Sequence, residues 1–274
     1  MNRRRITAYA AAFVATLGFD GAFHAVRAAC VGSVAVTSCT ATCSANCFLQ
    51  NDINCVSGQG INLASGANLD MCGRSIHCTS QFGCGSKPAV GMLASGSQVT
   101  NGLAGVQGTS PSKIDGGWEP AVNCAGYTST KVTKIWVEGA LTYGVQNCAT
   151  VERNVFINNG IAAVVTSGVA NSDQVDNNYF QGNGVGVYTS GDPFKITIDH
   201  NLFASNGNSG IEIGQSHTFD VNNNIFLGAS ALPVDDTTGL GTYTANYCDP
   251  DNPACTSCVS SGQCQPPTPP FLMP

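Results

Sequence analysis

Four copies of one pattern decide the fold: residues 151–156 read VERNVF, residues 175–180 VDNNYF, residues 198–203 IDHNLF and residues 221–226 VNNNIF. Their asparagines, at 154, 178, 201 and 224, follow one another at steps of 24, 23 and 23 residues. Between the copies lie short runs of alternating apolar residues bounded by Gly, Asn and Ser, a pattern typical of β-strands. A repeat of this length holds only a few short strands, so we expect each copy to form one turn of a coil.

The repeat predicts a parallel β-solenoid, because one turn cannot bury its apolar side chains alone and stacked turns can. The first apolar position is expected to face inward on successive turns, at Val151, Val175, Ile198 and Val221. A second apolar column is predicted to start at Leu141, Ile161, Val185 and Ile211. The repeated asparagine is expected at a bend, where its amide satisfies backbone groups that the bend leaves unpaired.

This pattern resembles the right-handed parallel β-helix repeat family, the architecture of pectate lyases and related proteins. The resemblance covers about residues 141–228, and residues 60–78 are similar to the opening turns of many exported β-helix proteins. It implies an all-β fold, a single-stranded right-handed parallel β-helix with about 23 residues per turn. Family members include lyases, hydrolases, epimerases and non-catalytic surface proteins, so the resemblance implies a fold rather than one reaction.

The composition argues against a nucleic-acid-binding protein. Only 10% of the 274 residues are charged, with 11 Lys and Arg against 17 Asp and Glu, and the formal net charge is −6. A chain with so few basic residues offers no basic surface for a phosphate backbone. No nucleic-acid partner is therefore expected.

The N-terminus has the order of a secretory signal. Arg3, Arg4 and Arg5 precede an apolar run at 6–19, and small residues lead to a predicted cleavage site after Ala28. The apolar run is shorter than the roughly 20 residues that span a bilayer. We therefore expect removal of residues 1–28 and a secreted or periplasmic chain without stable membrane insertion.

Fourteen cysteines, an even number in a chain predicted to be exported, indicate disulfides with the connectivity left open. Zinc at the Cys255-x-x-Cys258 pair is the competing hypothesis. The predicted organisation is a signal peptide at 1–28, a Cys-rich N-terminal cap at 29–55, a parallel β-helix at 56–228, and a Cys-rich C-terminal cap with a Pro-rich tail at 229–274. Capped ends favour a monomer.

A column of acids is predicted on the outer surface of the coil. The residue after each inward aliphatic position should face outward, and on three successive turns it is Glu152, Asp176 or Asp199. Stacked carboxylates repel one another, and a bound Ca²⁺ would relieve that repulsion. The competing interpretation is a solvated surface, because Asp favours turns and strand ends. A calcium site formed by these three acids therefore stays a hypothesis.

The same surface suggests a lyase mechanism. Residues 196–200, ITIDH, are similar to the strand-Asp-His segment of pectate lyases. A uronic-acid lyase needs a base for the proton next to the carboxylate and a cation that neutralises the carboxylate. We assign Lys195, Asp199 and His200 as catalytic candidates, with Lys195 as the base. The alternative for His200 is a turn residue without chemical function.

The candidate substrate-binding residues are Tyr188, Glu212 and Asp220. Tyr188 and Glu212 are expected to face outward on neighbouring turns, where an aromatic ring beside a carboxylate suits a sugar. The leading hypothesis is an exported β-helix protein that binds, and in an enzymatic form cleaves, an extracellular polysaccharide or cell-surface glycan. The alternative is a non-catalytic structural or adhesive β-helix protein.

Overall fold

The computed structural model describes residues 30–80, 83–85, 87–102, 111–166, 172–191, 195–214, 218–228, 232–249 and 255–265. Over these residues the chain forms a parallel β-solenoid of three sheets, which confirms the predicted fold class. The predicted signal peptide at 1–28 and the Pro-rich tail lie outside the described residues. No helix in the described part of the chain is long and apolar enough to cross a membrane.

Each complete turn contributes one strand to each sheet, and within the described residues sheet A has ten strands while sheets B and C have nine each. Sheet A consists of β1 (Val34–Val36), β3 (Cys47–Leu49), β6 (Asn68–Asp70), β9 (Gln98–Thr100), β12 (Lys131–Thr133), β15 (Thr150–Glu152), β18 (Ser172–Asp176), β21 (Lys195–Asp199), β24 (Phe219–Asn222) and β27 (Gly241–Thr244). Sheet B consists of β2 (Thr42–Cys43), β5 (Ile61–Leu63), β8 (Val90–Met92), β11 (Val122–Asn123), β14 (Tyr143–Gln146), β17 (Ala162–Thr166), β20 (Val185–Thr189), β23 (Ser209–Ile213) and β26 (Leu232–Asp236). Sheet C consists of β4 (Ile53–Cys55), β7 (Ser75–Cys78), β10 (Lys113–Asp115), β13 (Trp136–Glu138), β16 (Val155–Ile157), β19 (Tyr179–Gln181), β22 (Leu202–Ala204), β25 (Ile225–Leu227) and β28 (Tyr247–Cys248).

The chain runs through the sheets in the order A, C, B and then returns to A one turn higher. Each strand therefore pairs with the equivalent strand of the next turn, always in parallel. Val175 pairs with Val151 below and with Ile198 above, which is the register that the repeat predicts. Equivalent side chains of successive turns are thereby stacked.

The core is a set of stacked columns of apolar side chains. Phe156, Phe180, Phe203 and Phe226 form an inward ladder in sheet C, with neighbouring ring centroids 5.2, 4.8 and 5.0 Å apart and nearly parallel planes. The inward aliphatic column of sheet A, at Val151, Val175, Ile198 and Val221, is fully buried as predicted. Offset stacking at these distances adds to the hydrophobic stabilisation of the coil.

The corner between sheets A and C is built from a pair of residues. The first residue has a positive φ, as in Arg153, Asn177, His200 and Asn223. The second is an asparagine with no exposed surface, at 154, 178, 201 and 224. Asn178 Oδ1 accepts hydrogen bonds from the backbone N–H and the side-chain Nδ2 of Asn154, and Asn178 Nδ2 donates to Val151 O. The predicted bend and its role in satisfying the backbone are confirmed.

A second asparagine ladder occupies the corner between sheets C and B, which the sequence analysis missed. Its members are Asn159, Asn183 and Asn206. Asn159 Nδ2 donates to Asn183 Oδ1 at 2.8 Å, and Asn183 Nδ2 donates to Asn206 Oδ1 at 3.1 Å. These residues follow the first ladder by five positions, so the same period of the sequence contains them.

The second apolar column differs from the sequence-based prediction. Leu141 and Ile161 precede their strands and are about half exposed, and Val185 pairs with Ser209 rather than with Ile211. The inward column of sheet B instead contains Val145, Val164 and Val187 together with Ile211. Trp118 belongs to the core and has no exposed surface. Its indole Nε1 donates to Asp115 O at 2.8 Å, which satisfies the buried donor.

The cysteines form seven disulfides, and no free cysteine is found among the described residues. Four lie in the first turns, Cys30–Cys72, Cys39–Cys55, Cys43–Cys47 and Cys78–Cys84. Cys124–Cys148 joins two central turns, and Cys248–Cys255 and Cys258–Cys264 hold the C-terminal segment. That segment contains the helix α1 (Cys255–Ser260), whose buried side chains are the two cysteines proposed above as zinc ligands. Both belong to disulfides, so they hold no zinc.

Candidate functional site

The predicted acidic column exists on the outer surface of sheet A. Glu152, Asp176, Asp199 and Asn222 are stacked in register at the C-terminal ends of β15, β18, β21 and β24. They face outward because they follow the buried aliphatic column by one residue. Each side chain therefore lies about 4.8 Å from its equivalent on the next turn.

Asp176, Asp199 and His200 form a compact group at the A–C corner. One potential ligand atom from each residue lies within 4.8 Å of the other two. His200 Nδ1 is 3.0 Å from Asp199 Oδ2 and 3.8 Å from Asp176 Oδ1. No other group of three His, Cys, Asp or Glu side chains in the described ranges meets this distance.

The corner conformation brings the imidazole to the two carboxylates. His200 has φ of +52°, the left-handed conformation that the equivalent corner residues share. The side chain of His200 is more than half exposed, while those of Asp176 and Asp199 are partly covered. His200 is thus a turn residue, as one hypothesis expected, and its imidazole also lies beside two acids.

Two asparagines hold the outer oxygens of the carboxylates. Asn177 Nδ2 donates to Asp176 Oδ2 at 2.8 Å, and Asn223 Nδ2 donates to Asp199 Oδ1 at 3.0 Å. The oxygens that remain, Asp176 Oδ1 and Asp199 Oδ2, face His200. Asp176 Oδ1 is buried and accepts no hydrogen bond within the described part of the chain.

The electrostatics of the group favour a bound cation. Burial raises the pKa of Asp176 above its usual value, and the neighbouring acids Asp199 and Glu152 add to the rise. Hydrogen bonding by Asn177 and the nearby His200 oppose it without cancelling it. The surroundings of Asp176 therefore stabilise its charged form incompletely, and a positive charge at Asp176 Oδ1 would stabilise that form.

Glu152 lies in the column but has its own counter-ion. Lys131 Nζ is 2.7 Å from Glu152 Oε1. Glu152 is not among the three residues whose ligand atoms converge. Of the three acids predicted to bind calcium, only Asp176 and Asp199 come together. His200 supplies the third ligand atom in place of Glu152.

The lyase candidates are separated along β21. Lys195 Nζ is 2.7 Å from Asp220 Oδ2, and its side chain is 57% exposed. Asp199, at the other end of the strand, contacts His200 instead. Asp220 is paired with Lys195 on sheet A, so it does not lie beside Tyr188 and Glu212 on sheet B.

The outer face of sheet B carries an aromatic and acidic surface. Tyr188, Glu212 and Asp235 are stacked in register on three turns. Burial, followed by the charge of Asp235, raises the pKa of Glu212. Sequence reasoning missed Asp235, although it follows Glu212 by 23 residues and the repeat period would have found it. Tyr143 lies two turns below Val185 and packs, with Tyr188, against a small apolar cluster.

Comparison with protein families identifies the chain. The family model described as "NosD: Periplasmic copper-binding protein (NosD)" matches residues 90–246, more than half of the sequence. The chain belongs to the NosD family. A search of curated proteins and a search of solved structures each gave no match.

The NosD match contains the whole acidic column and all four copies of the decisive pattern. The family's description as periplasmic agrees with the predicted export from the cytoplasm. Family membership confirms the parallel β-helix, while the description of the family concerns copper rather than a polysaccharide.

The donor set at the A–C corner fits divalent copper. One imidazole and two carboxylates supply nitrogen and oxygen ligands, which suit Cu²⁺. Among the described residues no soft ligand for Cu⁺ is offered: every described cysteine is in a disulfide, and Met71 and Met92 are fully buried in the core. Bound there, Cu²⁺ would supply a Lewis-acidic, redox-active centre at the surface of the coil.

Proposed function

We propose that the chain is an extracytoplasmic β-helix protein that binds Cu²⁺ through Asp176, Asp199 and His200. The observation that carries the proposal is the convergence of three ligand atoms, one from each residue, within 4.8 Å. The description of the NosD family as periplasmic copper-binding proteins supports copper as the metal. The solenoid provides a rigid frame, since each ligand is anchored to a strand or corner of the stacked coil.

The unsatisfied Asp176 Oδ1 supports a cation at this position. It faces His200 Nδ1 and is shielded from water, so no solvent molecule compensates its charge. Copper rather than calcium is favoured because imidazole is a good ligand for Cu²⁺, whereas Ca²⁺ selects oxygen ligands, six to eight of them. The calcium hypothesis of the sequence analysis is retained as one arm of the test.

The test is a metal titration of the mature protein by isothermal calorimetry, with Cu²⁺, Zn²⁺ and Ca²⁺ in separate runs. We expect one Cu²⁺ per chain and an electron paramagnetic resonance spectrum with hyperfine coupling to a single imidazole nitrogen. His200→Ala should remove that nitrogen coupling, and Asp176→Asn should weaken binding by at least about tenfold, since each ligand lost costs more than 1.4 kcal/mol.

The matched control is His77→Ala. His77 is also paired with a carboxylate, that of Asp115, but no second acid converges on its imidazole within the described residues. This variant should bind Cu²⁺ like the parent. Equal loss of copper in both histidine variants, or stoichiometric binding of Ca²⁺ without Cu²⁺, would contradict the proposal.

Polysaccharide binding is the second candidate function, and a separate surface supports it. Tyr188 contacts the next turn at Gly214, where an added Cβ would be 3.0 Å from Tyr188 Oη and 3.2 Å from Tyr188 Cε2. Glu212 and Asp235 follow on the next two turns. An aromatic face beside two carboxylates offers stacking and hydrogen-bond acceptors to a sugar.

A glycan array with and without Ca²⁺ and Cu²⁺ tests this second function. Retention of an acidic or neutral glycan by the parent, lost in Tyr188→Ala and Glu212→Gln, would support it. Release of unsaturated products from pectate or alginate, lost in Lys195→Ala, would support the lyase form. If no glycan is retained and none is degraded, the non-catalytic structural alternative is favoured.

A further inference from the structure

Each aspartate of the proposed copper site has one carboxylate oxygen held by an asparagine of the A–C corner. Asn177 Nδ2 donates to Asp176 Oδ2 at 2.8 Å. Asn223 Nδ2 donates to Asp199 Oδ1 at 3.0 Å. The other oxygen of each aspartate faces His200. Each aspartate therefore presents a single oxygen beside the imidazole.

The remaining acid of the column, Glu152, is held by a lysine. Lys131 Nζ is 2.7 Å from Glu152 Oε1. Glu152 is stacked directly below Asp176 in sheet A. Without its counter-ion, Glu152 would therefore add a negative charge one turn, about 4.8 Å, from the site. Lys131 offsets that charge.

Backbone preference explains an asparagine at the corner but not what its side chain contacts. Asn177 and Asn223 have φ of +54° and +52°, the left-handed conformation that asparagine tolerates and glycine adopts freely. On other turns Arg153 and Ala245 have the same conformation, so the corner itself does not require an amide. The contact of both amides with the acids is therefore a feature separate from the bend.

The number of oxygens that the acids present decides which metal fits. Ca²⁺ takes about six to eight oxygen ligands, and a carboxylate can bind it through both of its oxygens. Cu²⁺ accepts an imidazole nitrogen together with carboxylate oxygens and needs fewer ligands. A donor that occupies one oxygen of each aspartate therefore disfavours Ca²⁺ more than Cu²⁺.

We propose that Asn177, Asn223 and Lys131 are specificity-determining residues that favour Cu²⁺ over Ca²⁺ at this site. The inference rests on the proposed function, since it concerns the metal selectivity of the same site. The two asparagines are positioning residues, because each holds a carboxylate with one oxygen toward His200. Lys131 acts through charge, because a third uncompensated carboxylate would attract a cation that prefers oxygen ligands.

The test measures the dissociation constants of Cu²⁺ and Ca²⁺ by calorimetry for the mature parent, Asn177→Gly, Asn223→Gly and the double variant. Glycine keeps the corner conformation and removes the amide. We expect the Kd for Cu²⁺ to rise and the Kd for Ca²⁺ to fall, so that the ratio of the calcium to the copper constant falls at least about tenfold in the double variant. The paramagnetic resonance spectrum should still show coupling to one imidazole nitrogen, because His200 is unchanged.

Two further variants complete the test. Lys131→Gln should lower the Kd for Ca²⁺ several-fold without raising the Kd for Cu²⁺. Asn158→Gly is the matched control, because it makes the same substitution at an exposed residue with φ of +53°, at the corner between sheets C and B. It should leave both constants unchanged.

Each variant tests the inference by itself, so a variant that does not fold leaves the others decisive. An unchanged ratio in the asparagine and lysine variants, or an equal change in Asn158→Gly, would overturn the inference. Weaker binding of both metals in the asparagine variants would also overturn it, since that is the effect of a merely structural role. A parent that binds no Cu²⁺ would refute the proposed function itself, whereas a parent that binds Cu²⁺ while its variants keep the same selectivity would refute the inference alone.

Discussion

Asn201→Ala is the sharpest test of how the corners hold the solenoid together. Asn201 is fully buried, and its Nδ2 donates to Val175 O at 2.8 Å and to Asn224 Oδ1 at 3.0 Å. Its Oδ1 accepts from the backbone N–H of Asn178 at 2.9 Å and from Asn178 Nδ2 at 3.1 Å. One side chain thus joins three successive turns.

The substitution leaves the buried N–H of Asn178 and the buried carbonyl of Val175 without a hydrogen-bond partner. Each buried polar group without a partner costs about 1–3 kcal/mol, so the free energy of unfolding should fall by about 3 kcal/mol in total. For a chain of this length, Tm should fall by about 6–12 °C, at about 2–4 °C per kcal/mol. Thermal unfolding followed by circular dichroism, with disulfides intact, measures the shift.

The matched control is Asn223→Gly at the exposed corner position next to the ladder, because glycine adopts its φ of +52° without the strain that alanine would add. Its amide makes one partly exposed hydrogen bond, to Asp199 Oδ1, so its loss should lower Tm by no more than about 2 °C. Asn201→Asp keeps the acceptor but replaces the donor with a carboxylate against carbonyl oxygens, so it should be at least as destabilising as Asn201→Ala. If Asn201→Ala has the same Tm as the control, or Asn201→Asp has the same Tm as the parent, the asparagine ladder does not stabilise the coil.

Three further predictions concern the core, the turns and the acidic group. Phe203→Ala should lower the free energy of unfolding by about 3–5 kcal/mol, as measured by denaturant titration, because it removes one ring from a stacked ladder. Gly186→Ala should strongly lower Tm, since its Cβ would lie 2.4 Å from Gly210 O and 2.6 Å from Phe203 Cδ1; Gly207→Ala, with no atom nearer than 3.4 Å, should leave Tm nearly unchanged. In metal-free protein, the raised pKa of Asp176 means that its contribution to the free energy of unfolding is fully favourable below pH 3.8 and is lost as the pH rises through the higher folded-state pKa. Asp176→Asn should therefore raise Tm at neutral pH but not below pH 3.8, and with saturating Cu²⁺ the parent should melt above the variant at neutral pH. A parent that melts above the variant in metal-free neutral buffer would contradict this.

The positions of the acidic column, but not its ion pairs, could be predicted from the sequence period. Its outward direction and its order follow from alternation along the strand and from the step of 23 or 24 residues, so Glu152, Asp176 and Asp199 could be placed in advance. The period and the alternation do not reveal which charged residues form ion pairs. Lys131 forms an ion pair with Glu152, and the corner conformation of His200 brings an imidazole to the other two acids.

The sheet B surface shows the same division. Tyr188 and Glu212 were predicted as neighbours and are neighbours, because both are defined by the repeat. Asp220, the third candidate substrate-binding residue, lies on sheet A and contacts Lys195. Its position directly before Val221 of the repeat places it on sheet A from the sequence, whereas its ion pair with Lys195 depends on the arrangement of side chains.

The amino-acid sequence by itself determines the coil: the spacing of Val, Asn and Phe sets the period, the inward face and the A–C corner, because these depend on local backbone preference and on stacking of equal turns. Only the tertiary structure decides which cysteines pair, which acids are neutralised, and that His200 joins Asp176 and Asp199. Those outcomes depend on distances between side chains from different turns and corners, and a one-dimensional period carries no information about rotamers or competing partners.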